Sequence, residues 1–320
     1  MDKSVNTEAI KLVKNAIKNK VLYRIKTQKI AKATIIDAGV KTQTGALAGK
    51  LAADICLGGL ARTRLTYKRF GEDNLPSVFV ETCFPAVATL GSQYAGWQIK
   101  TKDYFAMGSG PARALAKKPK SIYDKIDYSD SSKESVIVLE SDKLPTKSAI
   151  DYICDECKIS NDKLYVLVTP TSSLAGSIQI AGRVVETGIH KLTEIGFDPK
   201  TIVFGCGYAP IPPVHPDSMK AMGRTNDVIL YGGVTNYFVN HEDDEDLKKT
   251  VAKAPSSCSR DYGRPFYEIF REAKFDFYKI DPNLFAPAVI TISNMKTGVS
   301  YTAGTINEKV LKDAIGLRKA

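Results

Sequence analysis

Several stretches of the chain place apolar residues three and four positions apart, which is typical of amphipathic helices. The first such stretch covers residues 7–18. A second covers 46–57 and ends at Gly58-Gly59, a pair suited to a left-handed helix C-terminus. A third carries its apolar side chains on one face over residues 178–195. The same spacing predicts further helices over residues 147–157, 266–273 and 307–317.

Short runs of β-branched and aromatic residues between these stretches predict strands. They cover residues 33–38, 77–81, 136–139, 164–168, 201–204, 228–231 and 288–292. Helices and strands alternate without a regular βαβ repeat, which favours an α+β fold with mixed layers. The polar segment 127–135 is the best linker by composition, so we predict one domain over 1–130 and another over 131–320. A discontinuous domain that uses both chain ends is equally compatible.

Composition excludes several classes of protein. The chain has 320 residues, 43% hydrophobic and 25% charged, with a formal net charge of +10. These fractions fit a globular protein, and no apolar run is long enough to span a membrane. The first 20 residues carry charge throughout, so we expect a cytoplasmic protein. The basic residues form no stripe with interleaved aromatics, which disfavours nucleic-acid binding. Six scattered cysteines and three histidines favour reduced thiols and no metal site.

The stretch from Met107 to Leu115 is the first candidate for binding chemistry. Ser109 and Gly110 lead through Pro111 into a predicted helix, and free amides at a helix start attract anions. Arg113 occupies the position where a dinucleotide-binding fingerprint has its third glycine, so that motif is disfavoured. A plain strand-to-helix turn explains the same residues equally well.

The segment 91–97 is the second candidate. Gln93 and Tyr94 stand between small residues and Trp97, the only tryptophan. This mixture of amide and aromatic groups suits stacking of a flat heteroaromatic ligand. Packing of Tyr94 and Trp97 in the core is the simpler explanation.

Arg183 and Glu186 form the third candidate. They are three positions apart and therefore neighbours on a helix surface, away from the apolar stripe of the 178–195 helix. An exposed salt bridge would contribute less than about 1 kcal/mol to stability. A catalytic role requires instead that this polar face line a cleft, which periodicity alone cannot decide.

Several long sequence motifs, which follow one another along the chain, closely resemble those of one family, the methenyltetrahydromethanopterin cyclohydrolases of archaeal one-carbon metabolism and methanogenesis. The resemblance covers about residue 35 to the C-terminus. The motifs are ICLGGLA at 55–61, LGSQYAGWQI at 90–99, FAMGSGPARALAKKPK at 105–120, GSIQIAGRVVETGI at 176–189, APIPPV at 209–214, KAMGRTNDVILYGG at 220–233, GRPFYEIF at 263–270 and DFYKIDP at 276–282.

The resemblance implies a hydrolase that interconverts 5,10-methenyl-tetrahydromethanopterin plus water and 5-formyl-tetrahydromethanopterin, with no metal, no prosthetic group and tetrahydromethanopterin as carrier substrate. It implies that Glu186 is the base that activates water and that Arg183 sets its charge state and orientation. We assign contacts with the pterin or its anionic tail to Gln93, Tyr94, Ser109, Gly110 and Arg113.

The resemblance further implies two α+β domains with the active-site pocket between them, assembled as a homotrimer. The partner is then a small-molecule pterin carrier, with neither nucleic acid nor membrane. Two alternatives stay open: another pterin- or nucleotide-binding α/β enzyme that uses the Gly-Ser-Gly-Pro loop, and a non-enzymatic basic binding protein. The side-chain variant of the pterin and the direction of flux are not fixed by the sequence.

Overall fold

Two six-stranded sheets, each mixed in strand direction, organise residues 3–318, which a computed structural model describes (for Tyr278, the backbone alone). Helices pack against these sheets, so the predicted α+β fold class is confirmed. By contacts the chain divides into two compact units. The first comprises residues 1–62 and 86–179, and the second comprises residues 63–85 and 180–320. Each unit is therefore built from two separate segments of the chain.

The first sheet has the strand order β1-β2-β8-β7-β6-β5. Its strands are β1 Lys26–Ile30, β2 Ala33–Asp37, β5 Trp97–Lys100, β6 Phe105–Ser109, β7 Ser135–Glu140 and β8 Leu164–Val168. The three central strands β2, β8 and β7 run parallel, whereas the outer pairs are antiparallel. The carboxyl ends of the central strands consequently meet at one edge of the sheet.

The second sheet has the strand order β12-β11-β10-β9-β4-β3. Its strands are β3 Arg62–Phe70, β4 Asp73–Thr82, β9 Ile202–Pro210, β10 Val234–Val239, β11 Val289–Asn294 and β12 Ser300–Gly304. The β10–β11 pair is parallel, while β4–β9, β9–β10 and β11–β12 are antiparallel.

The described residues form thirteen α-helices. They are α1 Val5–Lys18, α2 Lys20–Tyr23, α3 Ala46–Cys56, α4 Pro85–Ala88, α5 Ala112–Ala116, α6 Lys120–Ile126, α7 Lys147–Cys157, α8 Leu174–Ala181, α9 Val184–Glu194, α10 Ser218–Leu230, α11 Asp244–Ala252, α12 Phe266–Glu272 and α13 Glu308–Ile315. Gly58 and Gly59 after α3 both have positive φ, as predicted for a left-handed helix end.

Both faces of the first sheet are covered by helices. Alternate residues of β7 belong to two different hydrophobic cores, one on each face of the sheet. Ile137 and Leu139 pack with α7 on one face, whereas Val136 and Val138 pack with α1 and α3 on the other. This alternation follows from the two-residue period of a strand. It explains why the central strands read as continuous apolar runs.

Two predicted elements are wrong. Residues 228–231, predicted as a strand, form the last turn of α10 and its C-cap Tyr231, because a short apolar run does not distinguish a buried strand from a buried helical turn. The single helix predicted over 178–195 is interrupted between α8 and α9, where Arg183 has the non-helical angles φ −84° and ψ 0°.

The polar segment 127–135 lies inside the first unit, directly before β7. The division by contacts falls at residues 62/63, 85/86 and 179/180. The predicted boundary between two domains at 130/131 stays a prediction.

Candidate functional site

A π-helical turn contains one of the predicted binding residues and directly precedes another. It covers Thr89–Gln93 and is fully buried, and the amide of Tyr94 donates to the carbonyl of Thr89 at 2.9 Å across five residues. Single π-turns of this kind occur frequently at functional sites, because they shift the direction of the following side chains. Gln93 ends the turn and Tyr94 follows it half-buried.

Arg113 braces this turn from inside the first unit. Its side chain is fully buried, and its Nη1 donates to the carbonyls of Leu90 and Ser92, each at 3.1 Å. Its Nε donates to the carbonyl of Lys118 at 2.8 Å, and its Cζ lies 5.2 Å from the centre of the Tyr94 ring. Because these bonds hold the guanidinium against backbone carbonyls of the turn, the geometry favours a role for Arg113 in positioning the π-turn.

The glycine-rich turn after β6 is tied to the same segment. Gly110 has φ +94°, a conformation that favours glycine, and its amide donates to the carbonyl of Ser92 at 2.8 Å. The following helix, α5, has only five residues. Ser109 is fully buried, with its Oγ 3.4 Å from Sγ of Cys56. The structure thus brings all five predicted binding residues together in the first unit.

Sequence reasoning missed a polar cluster beside Ser109. Nε2 of the fully buried Gln179, on α8, donates to Oε1 of Glu140 at 3.0 Å. The sequence did contain indications of this pair. Glu140 directly follows a predicted strand, and Gln179 lies within the motif at 176–189 that also contains Arg183 and Glu186.

Arg183 and Glu186 lie where α9 begins in the second unit. Arg183 is the N-cap residue and Glu186 belongs to the first helical turn. Only 7% of Arg183 and 6% of Glu186 are exposed, so the alternative of an exposed salt bridge is wrong. The partial positive charge of a helix N-terminus stabilises a carboxylate in the first turn by about 0.3–1 kcal/mol.

A buried tyrosine fixes the backbone of this first turn. The hydroxyl of Tyr237, on β10, donates to the carbonyl of Val185 at 2.9 Å. Burial raises the pKa of Tyr237 strongly, and the charge of Glu186 raises it further, so the hydroxyl stays protonated. A Cβ at Gly188 would lie 2.1 Å from this hydroxyl, which explains why glycine is required there.

The remaining candidates have structural explanations. Trp97 is buried, and its Nε1 donates to the hydroxyl of Tyr152 at 3.2 Å, so its predicted core packing is confirmed. The acidic run at 242–246 begins a helix, since the side chain of Asp243 caps α11 by accepting hydrogen bonds from the amides of Glu245 and Asp246. Burial raises the pKa values of Cys154 and Cys157 to about 12, which keeps both thiols protonated. Within residues 3–318, no cluster of histidine, cysteine and carboxylate side chains could hold a metal ion.

Comparison with known proteins identifies the family of the chain. The family model described as "Cyclohydrolase (MCH)" matches residues 4–315. The chain belongs to this cyclohydrolase family. Its relatives include the methenyltetrahydromethanopterin cyclohydrolase of Methanothermobacter thermautotrophicus, 47% identical over 98% of this chain and 99% of the relative. Those of Methanocella arvoryzae and Methanocaldococcus jannaschii are 48% and 46% identical, each over at least 98% of both chains.

The region matched by the cyclohydrolase family contains all seven predicted site residues. It therefore includes the π-turn with its Arg113 brace as well as the start of α9.

Among the described helices, none combines the length and the hydropathy that crossing a bilayer requires.

Proposed function

We propose that the chain is a methenyltetrahydromethanopterin cyclohydrolase, which hydrolyses the methenyl bridge of its carrier reversibly to the 5-formyl form. The observation that carries this proposal is the placement of Glu186, buried in the first turn of α9 beside the N-cap residue Arg183. The cyclohydrolase names of relatives that match nearly the whole chain support it.

In the proposed reaction Glu186 removes a proton from a water molecule as its oxygen bonds to the cationic methenyl carbon. The protonated Glu186 then gives this proton to N10 of the carrier. It next accepts the hydroxyl proton of the adduct while the carbon–N10 bond breaks and the formyl group forms. One proton is released to solvent overall. Because the methenyl carbon is already electrophilic, positioned water and proton transfer suffice, and such transfer accelerates reactions by roughly 10²–10⁴.

Arg183 has two roles in this proposal. Its positive charge sets the charge state and orientation of Glu186, and its guanidinium stabilises the negative charge that develops on the formyl oxygen. Tyr237 supports both roles indirectly, since its hydroxyl holds the backbone between Arg183 and Glu186.

We assign the carrier contacts to Gln93, Tyr94, Ser109 and Gly110. Gln93 ends the π-turn and Tyr94 follows it, and the combination of an amide and an aromatic ring suits a bicyclic pterin. Arg113 supports these contacts by bracing the turn. No metal or prosthetic group takes part in the proposed reaction, and the carrier is the substrate. The protein is cytoplasmic in this proposal, and the homotrimer that the family resemblance implies would have a mass near three times 35.0 kDa by light scattering.

The loss of the near-ultraviolet absorbance of methenyl-tetrahydromethanopterin tests the function. We expect the purified chain to accelerate this loss and Arg183→Ala to reduce the rate by roughly two orders of magnitude or more. The matched control is Glu194→Gln, an exposed substitution at the other end of α9, which should keep the wild-type rate. No acceleration at substrate-level enzyme concentration would refute the proposal and leave the alternative of another pterin-binding enzyme.

A further inference from the structure

The carboxyl ends of β7 and β8 form a topological switch point in the first sheet. These neighbouring strands are parallel, and the chain leaves them toward opposite faces. After β7 it forms α7, which packs with Ile137 and Leu139, whereas after β8 it forms α8, whose Ala175 packs with Val138 and Leu167. A crevice that binds ligands commonly opens where adjacent strands diverge in this way.

Glu140 lies at this switch point as the last residue of β7 and is partly exposed. Gln179 is fully buried, and its Nε2 donates to Oε1 of Glu140 at 3.0 Å. On the other side, Oε1 of Gln179 lies 4.0 Å from Sγ of Cys56, which in turn lies 3.4 Å from Oγ of Ser109. The amide of Gln179 therefore sets the direction of the carboxylate from a fixed, buried position.

The charge of Glu140 selects which part of a ligand it can bind. A carboxylate repels the phosphate and carboxylates of the carrier tail, but it accepts two parallel hydrogen bonds from adjacent N–H donors. The 2-amino-4-oxopyrimidine ring of a pterin presents such a pair of donors, at N3 and at the 2-amino group. One carboxylate has acceptor capacity for this pair in addition to the bond from Gln179.

We propose that Glu140, oriented by Gln179, binds the donor edge of the pterin ring and thereby determines specificity for pterin carriers. This proposal rests on the proposed function for the identity of the carrier. It assigns Glu140 a binding role and Gln179 a positioning role, neither of which includes proton transfer to the methenyl carbon.

The test is the dissociation constant of tetrahydromethanopterin, which lacks the methenyl carbon, together with the kinetics of the methenyl form. Glu140→Gln replaces an acceptor by a donor at nearly constant volume. We expect it to raise the dissociation constant and KM by roughly 10- to 100-fold while kcat stays nearly unchanged. The isolated headgroup 6-methyl-tetrahydropterin should compete with the carrier in the wild type and lose this competition in the variant.

The matched control is Glu134→Gln, which removes the partly exposed carboxylate just before β7 that pairs with Lys14, and it should keep wild-type affinity. Gln179→Met keeps the charge of Glu140 but removes the hydrogen bond that Gln179 donates to it, so it should raise the dissociation constant several-fold. This variant tests the proposal if Glu140→Gln does not fold.

Three results would overturn the proposal: unchanged affinity in Glu140→Gln, a fall in kcat at unchanged KM, or weaker binding of the cationic methenyl form alone. A wild-type protein that binds tetrahydromethanopterin without hydrolysing its methenyl form would refute the proposed function only.

Discussion

Replacing Arg113 by lysine tests whether this side chain braces the π-turn or binds the substrate. The guanidinium donates to three backbone carbonyls from a fully buried position. Hydrogen bonds to charged groups contribute roughly 1.5–3 kcal/mol each, and lysine cannot reproduce the planar fork. Allowing for one bond that lysine keeps and for non-additivity, we expect Arg113→Lys to lose about 2–4 kcal/mol of unfolding free energy, or roughly 3–6 °C in Tm for cooperative unfolding of a chain of this length.

Calorimetry and steady-state kinetics, run on the same preparations, measure this prediction. The control is Arg64→Lys, because Arg64 is 60% exposed in a surface ion pair with Glu81 and should leave Tm unchanged. A stability loss in Arg113→Lys, accompanied by weaker carrier binding through Gln93 and Tyr94, fits the bracing role. An unchanged Tm with a raised KM would contradict it and would show that the guanidinium contacts the substrate.

Two further predictions concern buried acids. Burial raises the pKa of Asp227 to about 8, so the folded state holds this proton more tightly, and the resulting stability is lost as pH rises from about 4 to 8. Asp227→Asn lacks this loss, so its Tm relative to that of the wild type should rise between about pH 4 and 8, and parallel pH profiles would contradict this. Burial raises the pKa values of the Cys154 and Cys157 thiols to about 12, so both should resist a disulfide reagent at pH 8 while the exposed Cys83 and Cys258 react. Equal reaction rates for all four thiols would contradict this prediction.

Helices with a clear apolar period were predictable from sequence. The predicted helix 147–157 is confirmed as α7, where Thr146 caps the first turn, and the predicted helix 46–57 is confirmed as α3. The strand β10 was missed, because its buried residues Thr235 and Tyr237 are polar or amphipathic and give little hydrophobic signal. The two-segment units follow from tertiary contacts, which the pattern along the chain does not contain.

The candidate site was predictable only in part. Periodicity placed Arg183 and Glu186 off the apolar stripe, which is usually the exposed face, yet both are buried. A hydrophobic pattern reports which face of a helix is apolar, and it carries no information about what shields the polar face. Arg113 after a glycine turn is typical of an anion ligand, but the structure uses its donors for backbone carbonyls. The bond between Gln179 and Glu140 joins residues 39 positions apart, beyond the reach of local patterns.

The most direct measurement of the proposed mechanism is single turnover of methenyl-tetrahydromethanopterin by Glu186→Gln in excess over substrate, beside the wild type. The amide keeps the size of the side chain but cannot accept the water proton. The account predicts that the variant binds the carrier with near wild-type affinity and hydrolyses it roughly 10²–10⁴ times more slowly. Hydrolysis by Glu186→Gln at the wild-type rate would contradict it and place the general base on another residue.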